Sequence, residues 1–539
     1  MKLRYTGLLA IAAALLVSSC KKPQQIFNNP YADAKAPLGI STDPQQIPQP
    51  ASGAPGTPVT ITATGLEQYK DKLLFLFNGQ KAQIQKITST SITVIVPASA
   101  SSGITSFSVD GQLVFGPRFT VIGKVNLDPT YNNPVGTDGP VVKAYPIPNS
   151  TQMIIMGAFQ NYANAGTIVK TNRIVRVFAD GSWDRSFQVG AGANSTVYDI
   201  AQVGPYYYVV GDFSSFAQQS GNIQRIAKIQ TNGLVDTMQV TTYLLKTKYV
   251  PTFNIGFAGG TASSVHAVGS NKMIVTGNFT YTTKRNYSAN TYDAKDSTIV
   301  DSTIVRQLAQ VNVDGTLDSN WRFDKTKQGY KFHIGASWTG PNGPIAPTIM
   351  DANNKLLVYG RFTSFDDQPA NAMIRLNVVD GKPDQTFNIG SGPDQNLIAW
   401  VSYNAVLNKY LVVGAFSKFN GVASQYIVRL NYDGSVDGTF TPKVFNGGIP
   451  NFAKLLDDGL AVVSGSFRSY DGVIRNGFAV LNSSGGLADL YNNTGNVNGV
   501  IEDVYETRSA DNKRALLIMG SFSLFDNQVK NNIVRVTFE

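Results

Sequence analysis

Cysteine and histidine are nearly absent from this chain of 539 residues, which contains one cysteine and two histidines. A single cysteine excludes internal disulfide bonds and any metal site built from several thiolates. The histidines, His266 and His333, lie far apart in sequence, so a multi-histidine metal centre is excluded and a Ser-His-Asp triad would need one of them. We therefore expect no metal and no cofactor.

Charged residues are also scarce, at 15% of the chain against roughly 25% in an average soluble protein. The formal net charge is +9, from 45 basic and 36 acidic residues. Residues 139–539 contain no lysine or arginine run of the kind that follows a phosphate backbone. The excess charge therefore indicates a mildly basic surface, and we expect no nucleic-acid partner.

Sequence motifs of common enzyme classes are missing as well. The chain has no Gly-x-Ser-x-Gly elbow, phosphate-binding loop or dinucleotide fingerprint in its required strand and helix context. Paired carboxylates for glycoside hydrolysis stay open, because their separation is a three-dimensional quantity; Asp293, Asp296 and Asp301, near Asp324, are such a group. We expect a protein without catalytic residues, with a glycan-active hydrolase as the less favoured alternative.

Aromatic residues and glycine are abundant, with 29 Phe, 24 Tyr and 50 Gly. This composition, together with many Thr, Ser and Asn, favours strands and turns over helices. The length exceeds the ~250–300 residues at which one hydrophobic core stops growing. The chain is therefore predicted to be all-β, with several units or a repeat array.

The N-terminus has the three parts of an export signal. Lys2 and Arg4 supply the charge, residues 8–17 form an apolar stretch, and Val17-Ser18-Ser19-Cys20 matches a lipobox. The apolar stretch is too short to span a membrane. The segment resembles bacterial lipoprotein signals, including those of Bacteroidota-like bacteria, and this resemblance implies a signal peptide over 1–19 and lipidation of Cys20.

Residues 20–45 follow as a lipidated tether, rich in Pro, Asn and Gln and without periodicity. Several acyl chains give a stable anchor, so we expect attachment to the outer membrane, on the cell surface. Surface lipoproteins of this type often carry acidic residues after the cysteine, whereas Lys21 and Lys22 stand here. The periplasmic face therefore stays open as an alternative.

Residues 46–122 are predicted to form one small β-domain. Val59 to Thr62 and Ser91 to Val96 alternate in polarity, and Asn78-Gly79 marks a hairpin turn. The order of these segments, with Gly103 after Pro97, resembles the TIG/IPT family of immunoglobulin-like domains. That resemblance implies an immunoglobulin-like β-sandwich and says little about function.

The rest of the chain, residues 123–539, is a repeat array. A Gly-x-Phe motif closes an apolar run seven times, with a base period of about 53 residues and two longer units. The seven copies are Gly157-Phe159, Gly211-Phe213, Gly277-Phe279, Gly360-Phe362, Gly414-Phe416, Gly465-Phe467 and Gly520-Phe522. Four short strands per unit at this period are typical of a propeller blade.

The last repeat lacks its fourth strand, and the missing pattern stands at the start of the array. Leu127-Asp128-Pro129-Thr130-Tyr131 matches Val436-Asp437-Gly438-Thr439-Phe440. We therefore predict a seven-bladed β-propeller closed by an N-terminal strand, which removes an exposed edge. The pattern resembles the delta-60-type propeller repeats of bacterial surface proteins, and that resemblance implies no catalytic residues.

Two long insertions fall in loops that a four-stranded blade places on one face. They cover residues 281–305 and 324–344 and are rich in aromatic residues. Long loops on a rigid scaffold often carry binding sites. The candidate ligand-binding residues are Trp338, Tyr330, Tyr287, Tyr292 and His333; the alternative is a pair of self-packed loops without a ligand.

These features favour a non-catalytic, lipid-anchored protein that binds extracellular glycan, by similarity to the modular glycan-binding lipoproteins of polysaccharide-utilisation systems. Aromatic rings stack on sugar rings, while amides and carboxylates bind hydroxyl groups. The alternative from another class is a scaffold or adhesion propeller that binds a surface protein. Because the small β-domain enters at Val125, ahead of a fourth-type strand, we expect it on the face opposite the two insertions.

Overall fold

The computed structural model describes residues 35–164, 170–241, 246–287, 298–328 and 334–539. Within these ranges the regular structure is β, apart from one 3-10 turn at Glu67–Tyr69. No helix among them is long and apolar enough to cross a membrane. Four of the predicted site residues, Cys20, Tyr292, Tyr330 and His333, lie outside the described residues.

The first part of the chain forms one hydrogen-bonded path of seven strands, in the order β1-β7-β6-β3-β4-β5-β2. The strands are β1 (Ser52–Gly53), β2 (Pro58–Thr62), β3 (Leu74–Phe77), β4 (Gln80–Ile87), β5 (Ser91–Ile95), β6 (Gly103–Val109) and β7 (Gln112–Val121). Asn78 and Gly79 join β3 to β4, both with positive φ, as the predicted hairpin requires. This N-terminal sheet has its own core, with Val59, Phe75 and Phe107 fully buried. Its immunoglobulin-like classification stays a prediction.

Strand β8 (Val125–Leu127) leads into the repeat array. Blades 1 to 3 contain β9 (Val141–Pro146), β10 (Met153–Gly157), β11 (Ile174–Val177), β12 (Val197–Val203), β13 (Tyr206–Gly211), β14 (Ser215–Phe216), β15 (Gln219–Ser220), β16 (Ile226–Gln230), β17 (Thr237–Thr241), β18 (Thr247–Pro251), β19 (Ile255–Ala258), β20 (Ala262–Val268), β21 (Lys272–Gly277), β22 (Tyr281–Asn286), β23 (Ile299–Ile304) and β24 (Leu308–Asn312). Strands β9 to β11 form blade 1. The sheets β12-β13-β16 and β20-β21-β24 form blades 2 and 3.

Blades 4 to 7 follow the same plan. Their strands, with the hairpin that precedes them, are β25 (Phe323–Gln328), β26 (Ile334–Ser337), β27 (Ile349–Met350), β28 (Lys355–Tyr359), β29 (Ser364–Phe365), β30 (Gln368–Pro369), β31 (Met373–Asn377), β32 (Ile398–Asn404), β33 (Lys409–Gly414), β34 (Lys418–Phe419), β35 (Val422–Ala423), β36 (Ile427–Asn431), β37 (Phe445–Asn446), β38 (Pro450–Leu455), β39 (Ala461–Gly465), β40 (Ser469–Tyr470), β41 (Val473–Ile474), β42 (Phe478–Leu481), β43 (Asn498–Arg508), β44 (Arg514–Phe525), β45 (Gln528–Val529) and β46 (Ile533–Phe538). Blades 4, 5 and 6 are β27-β28-β31, β32-β33-β36 and β38-β39-β42.

Blade 7 closes the ring, as the sequence predicted. Its sheet has the order β43-β44-β46-β8, so the strand before the array completes the last blade. Strands β46 and β8 pair antiparallel, with Val536 opposite Leu127 and Phe538 opposite Val125. The described residues thus contain seven blade sheets, and the β-propeller is confirmed.

The repeated phenylalanines fill the space between blades. Every Phe of the seven Gly-x-Phe motifs is buried. The apolar clusters combine neighbouring blades: Met156 of blade 1 packs with Val209 of blade 2, and Tyr359 of blade 4 with Val412 of blade 5. The first strands of neighbouring blades contact each other, as β12 and β20 do, and so surround the propeller axis.

Candidate functional site

A β-bulge near the start of the first strand shapes the centre of the propeller. In blade 5 the register shifts between Ile398 and Trp400, opposite Gly414, and blades 1, 2, 3, 6 and 7 carry equivalent shifts. A Cβ on Gly414 would lie 2.2 Å from the Leu397 carbonyl oxygen. The motif glycine is therefore required by close backbone approach. Bulges redirect side chains, and here they turn residues of the first strands toward the axis.

The first strands surround a central cavity of about 410 Å³. All seven blades contribute to its wall. In blade order the wall includes Lys143, Asp199, Ser264, Thr348, Trp400, Lys454 and Asp503. Lys143, Asp199, Ser264 and Trp400 lie near the starts of their first strands, on the side of the loops between second and third strands, whereas Lys454 lies near the end of β38.

One side of the cavity is charged. The Lys143 Nζ donates to Asp199 Oδ1 at 2.6 Å, and the Lys143 side chain keeps 41% of its surface accessible, against 4% for Asp199. Burial alone would lower the pKa of Lys143, but the contact with Asp199 outweighs it and raises that pKa. Burial raises the pKa of Asp503, against the opposing effect of Lys454 and Lys143, and it also raises the pKa of Glu502.

The opposite side is apolar and aromatic. Pro347 of blade 4 and Trp400 and Tyr403 of blade 5 line it. The Trp400 ring packs on Phe452 of blade 6, with centroids 5.1 Å apart, and remains partly exposed. Phe452 holds the indole in place, so the cavity presents a fixed aromatic surface opposite fixed polar groups.

Hydrogen bonds between blades hold the polar wall. The Val265 N–H of blade 3 donates to Asp199 Oδ2, and the Thr348 N–H of blade 4 donates to Ser264 Oγ. In blade 7, Asp503 Oδ1 accepts from the Val504 N–H at 2.9 Å. Each of these acceptors stands directly after the bulge of its own first strand. Asp199 and Ser264 thus join neighbouring blades as well as lining the cavity, while the bond to Asp503 lies within its own strand. These bonds make the polar wall preorganised.

His266 belongs to this structural network. Its Nε2 lies 2.8 Å from Thr348 Oγ1, which in turn lies 2.8 Å from Thr276 Oγ1. Burial lowers the pKa of His266 to about 4, so the imidazole is neutral at physiological pH. Its hydrogen bond with Thr348 joins blade 3 to blade 4.

Two of the predicted loop residues are described, and they differ in accessibility. Tyr287 is buried at 4% exposure, and its hydroxyl has no hydrogen-bond partner in the described part of the chain. Its ring therefore offers no stacking surface. Strand β22 of this insertion packs on blade 2, where Thr283 bonds Gln224 and Arg285 bonds the Gly221 carbonyl. The described start of the first insertion therefore packs against the neighbouring blade.

Trp338 is partly exposed and lines an open groove of about 740 Å³. The Arg322 guanidinium covers its ring at 5.2 Å from the centroid and is itself held by Asp366. Polar residues of blade 4 complete the groove, among them Gln368 and Asn377. Trp338 therefore stays a candidate ligand-binding residue. Among the described residues, Tyr287 does not line this groove.

The N-terminal sheet contacts the same class of loops that carries the insertions. The Arg475 Nη2, at the end of the loop between second and third strands of blade 6, donates to the Ser99 carbonyl, and Asn527 Nδ2, in that loop of blade 7, donates to the Ser102 carbonyl. The expectation of opposite faces is therefore wrong. Strand β8 starts where predicted, beside Phe538, but the sheet folds back along blades 6 and 7.

The cavity could not be recognised from the sequence because Trp400 lies in a blade strand, where a tryptophan is more often part of the core. A signal was present: Asp199 and the pair Glu502-Asp503 stand next to apolar residues in the middle of first strands. A charged residue in a buried strand needs a partner or a function. Only the assembled ring shows that these positions from different blades meet.

The described residues contain no group of three or more His, Cys, Asp or Glu side chains that could hold a metal ion. Comparisons with known proteins give two family matches. A domain of unknown function described as a beta-propeller, DUF5122, matches residues 352–387 and 408–440, and another, DUF5008, matches residues 16–117. No curated protein matches the chain.

Solved structures similar to the chain include an auxiliary nutrient binding protein from Bacteroides ovatus, at 12% identity and TM-score 0.29, covering 92% of this chain and 99% of that one. The computationally designed Ika8 protein matches at 8% identity and TM-score 0.37, covering 85% and 96%. The WD40 β-propeller domain of Doa1 matches at 12% identity and TM-score 0.28, covering 65% and 95%. Similarity of this degree assigns no ligand. The chain is an all-β protein with a seven-bladed propeller, part of which is similar to the DUF5122 family.

Proposed function

We propose that this protein is a non-catalytic binding protein of the cell envelope that takes up a saccharide in the central cavity. The observation that carries the proposal is the two-sided wall: Trp400 on one side, and Lys143, Asp199 and Glu502 on the other. A sugar ring has apolar C–H faces and a polar rim of hydroxyls. The cavity offers a matching surface to each.

The size and rigidity of the cavity support this proposal. A volume of about 410 Å³ lies within the ~300–1,000 Å³ of ligand pockets. Phe452 fixes the Trp400 ring, and hydrogen bonds between blades fix Asp199. A preorganised site spends little free energy on ordering its side chains when the ligand enters.

The state of the carboxylates supports binding rather than hydrolysis. Asp199 already accepts from Lys143, from the Val265 N–H and from the Ile200 N–H. Asp503 accepts from the Val504 N–H, and the positive charges of Lys454 and Lys143 act on its carboxyl group. Glycoside hydrolysis needs two carboxyl groups free to act as acid and as nucleophile or base. Only Glu502 among these three lacks a hydrogen-bond or ion-pair partner in the described residues.

The experiment is a glycan array on the purified chain, followed by titration of the strongest binder with Trp400→Ala and Trp338→Ala. We expect Trp400→Ala to weaken binding about tenfold, as loss of one aromatic contact of ~1.4 kcal/mol implies. Trp400→Phe retains the packing on Phe452 and controls for folding. Trp338→Ala should leave the affinity unchanged.

Loss of binding only in Trp338→Ala would move the site to the groove at the second insertion. Binding to no saccharide on the array would overturn the saccharide function. A protein ligand that is not displaced by sugars would then favour the scaffold alternative.

The proposal includes attachment to the outer membrane through lipid on Cys20. The lipobox and the absence of any other cysteine support it. Cys20→Ala should give an unacylated protein in the soluble or inner-membrane fraction, as measured by membrane fractionation and mass spectrometry. Recovery of that variant in the outer membrane would contradict the lipid anchor.

A further inference from the structure

The central cavity holds an excess of acidic groups. Its wall contains the carboxyl groups of Asp199, Glu502 and Asp503 but only the ammonium groups of Lys143 and Lys454. A partly buried charge without a partner is costly. The pairing of these five groups therefore shows which charge is left without a partner in the cavity.

Two of the carboxylates have a lysine. Lys143 contacts Asp199 at 2.6 Å. Lys454 and Lys143 both act on Asp503, since the charge of each opposes the rise in the pKa of that carboxyl. The charge of Asp503 is therefore compensated from both neighbouring blades.

Glu502 is the remaining group. It forms no hydrogen bond or ion pair within the described residues, and burial raises the pKa of its carboxyl group. Its side chain is partly exposed and lines the cavity. It stands at the bulge of β43, one residue before Asp503.

We infer that the cavity selects saccharides bearing a protonated amine, an amino sugar, with Glu502 as the counter-ion of the ammonium group. This inference rests on the proposed saccharide function and names its substrate class. The ammonium group would supply the positive charge that the cavity lacks. The Glu502 carboxylate accepts up to two of its N–H donors, and charge-assisted hydrogen bonds of this kind are stronger than those to a neutral hydroxyl.

The opposite wall suits such a ligand. Trp400 presents its ring to the cavity, and an indole face attracts both the C–H face of a sugar and a nearby cation. An acidic sugar would bring a second negative charge next to Glu502. The positive charge of Lys454 already compensates the carboxylate of Asp503. The charge pattern therefore disfavours uronic acids.

The test compares ligands that differ in one group. Glucosamine, glucose, N-acetylglucosamine and glucuronate are titrated into the full-length chain at neutral pH, where most of the amine is protonated, and the measurement is repeated with galactosamine and galactose. We expect the amine to bind at least tenfold more tightly than its hydroxyl or acetamide counterpart. Glu502→Gln should remove this preference and leave the affinity for the neutral sugar within about twofold.

Glu506→Gln is the matched control, since Glu506 lies on the same strand but bonds Arg514 outside the cavity. It should leave the preference for the amine unchanged. Melting temperatures of both variants show whether they fold.

Equal affinity for glucosamine and glucose would overturn this inference while the saccharide function stands. A preference for the amine that survives in a folded Glu502→Gln would overturn the assignment to Glu502, and tighter binding of glucuronate would overturn the charge argument. If none of the sugars binds, both the inference and the proposed function fail.

Discussion

A buried pair of opposite charges recurs at one position of the blade. The third-strand arginine contacts the aspartate of the following turn, as in Arg375–Asp384, Arg429–Asp437 and Arg535–Asp128. The other oxygen of the aspartate accepts from a Ser or Thr two residues later, as Asp384 does from Thr386. Each aspartate thus holds a turn and compensates the charge of a buried arginine.

Blade 6 shows that the pair is replaceable as a unit. Val480 stands where blades 1, 4, 5 and 7 have the arginine, and Ala488 stands where the other blades have the aspartate. Asn492 bonds both the N–H and the carbonyl of Val480 instead. Apolar replacement of both partners is tolerated, whereas a single replacement leaves an uncompensated charge.

The pair should make stability depend on pH. Burial alone would raise the pKa of Asp384, but hydrogen bonds from Thr386 and Arg375 outweigh it and lower that pKa to about 2. A carboxyl group whose pKa is lowered by folding contributes stability above its unfolded value of ~3.9, and the contribution is lost as pH falls through the folded value. Asp384→Asn should lower the free energy of unfolding by about 3 kcal/mol at pH 7 and by little near pH 2. Denaturant unfolding at both pH values measures this.

Asp380→Asn, at an exposed turn of the same blade, is the control and should change the free energy of unfolding by less than ~0.5 kcal/mol. Arg375→Val with Asp384→Ala imitates blade 6 and should be less damaging than Asp384→Ala alone. A pH-independent effect of Asp384→Asn would contradict the charge argument.

At the scale of the element, the motif glycine and the bulge form one unit. Gly414→Ala would place its Cβ 2.2 Å from the Leu397 carbonyl, so β32 must move. We expect a loss of about 3 kcal/mol in the free energy of unfolding, the upper range for overpacking. Because β32 carries Trp400, ligand affinity should fall as well. Unfolding in denaturant and ligand titration measure the two effects.

Gly438→Ala is the matched control, because a Cβ there meets no atom within 4 Å. It should leave both quantities unchanged. A Gly414→Ala variant with unchanged stability would show that the bulge adapts to a side chain.

The closing strand is the second element with a testable role. Deletion of residues 124–131 removes β8, leaves β46 as an open edge and takes Asp128 from the buried Arg535. We expect loss of cooperative unfolding or aggregation, visible by calorimetry and gel filtration. Asn126→Ala keeps the strand and should behave as the native chain. An unchanged melting temperature for the deletion would refute closure by this strand.

At the scale of the whole molecule, the N-terminal sheet is held to the propeller by Asn493. Its Oδ1 accepts from the Val125 N–H, its Nδ2 donates to the Val125 carbonyl, and its backbone carbonyl accepts from the Ser102 N–H. These bonds join the sheet, the strand β8 and the connection between blades 6 and 7. Asn493 therefore holds the sheet in place together with the bonds that Arg475 and Asn527 donate to Ser99 and Ser102.

Asn493→Ala should loosen this junction, because the Val125 backbone groups lose their partner. We expect faster proteolytic cleavage at residues 122–124, with the main unfolding transition of the propeller within a few degrees of the native value. Limited proteolysis with mass spectrometry locates the cut. Asn446→Ala, at an exposed site of blade 6, should cleave at the native rate, and equal rates for both variants would contradict the assigned role.

Much of the architecture was predictable because it repeats. The Gly-x-Phe spacing identified seven blades, and the match of residues 127–131 to residues 436–440 identified the closing strand. Such features depend on interactions within one blade or between neighbours, which every copy of the repeat records. Of the predicted ligand-binding residues that the structure describes, Trp338 of the 324–344 insertion lines an open groove, whereas the ring of Tyr287 is buried.

The sequence by itself determined the all-β class, the blade number and the closure, since periodic polarity and turn residues act locally. The tertiary structure decided which side chains meet at the axis, because Lys143, Trp400 and Glu502 are far apart in the chain and come together only when the ring closes. It also decided where the N-terminal sheet lies. That placement depends on contacts such as Arg475 with Ser99, which leave no periodic trace in the sequence.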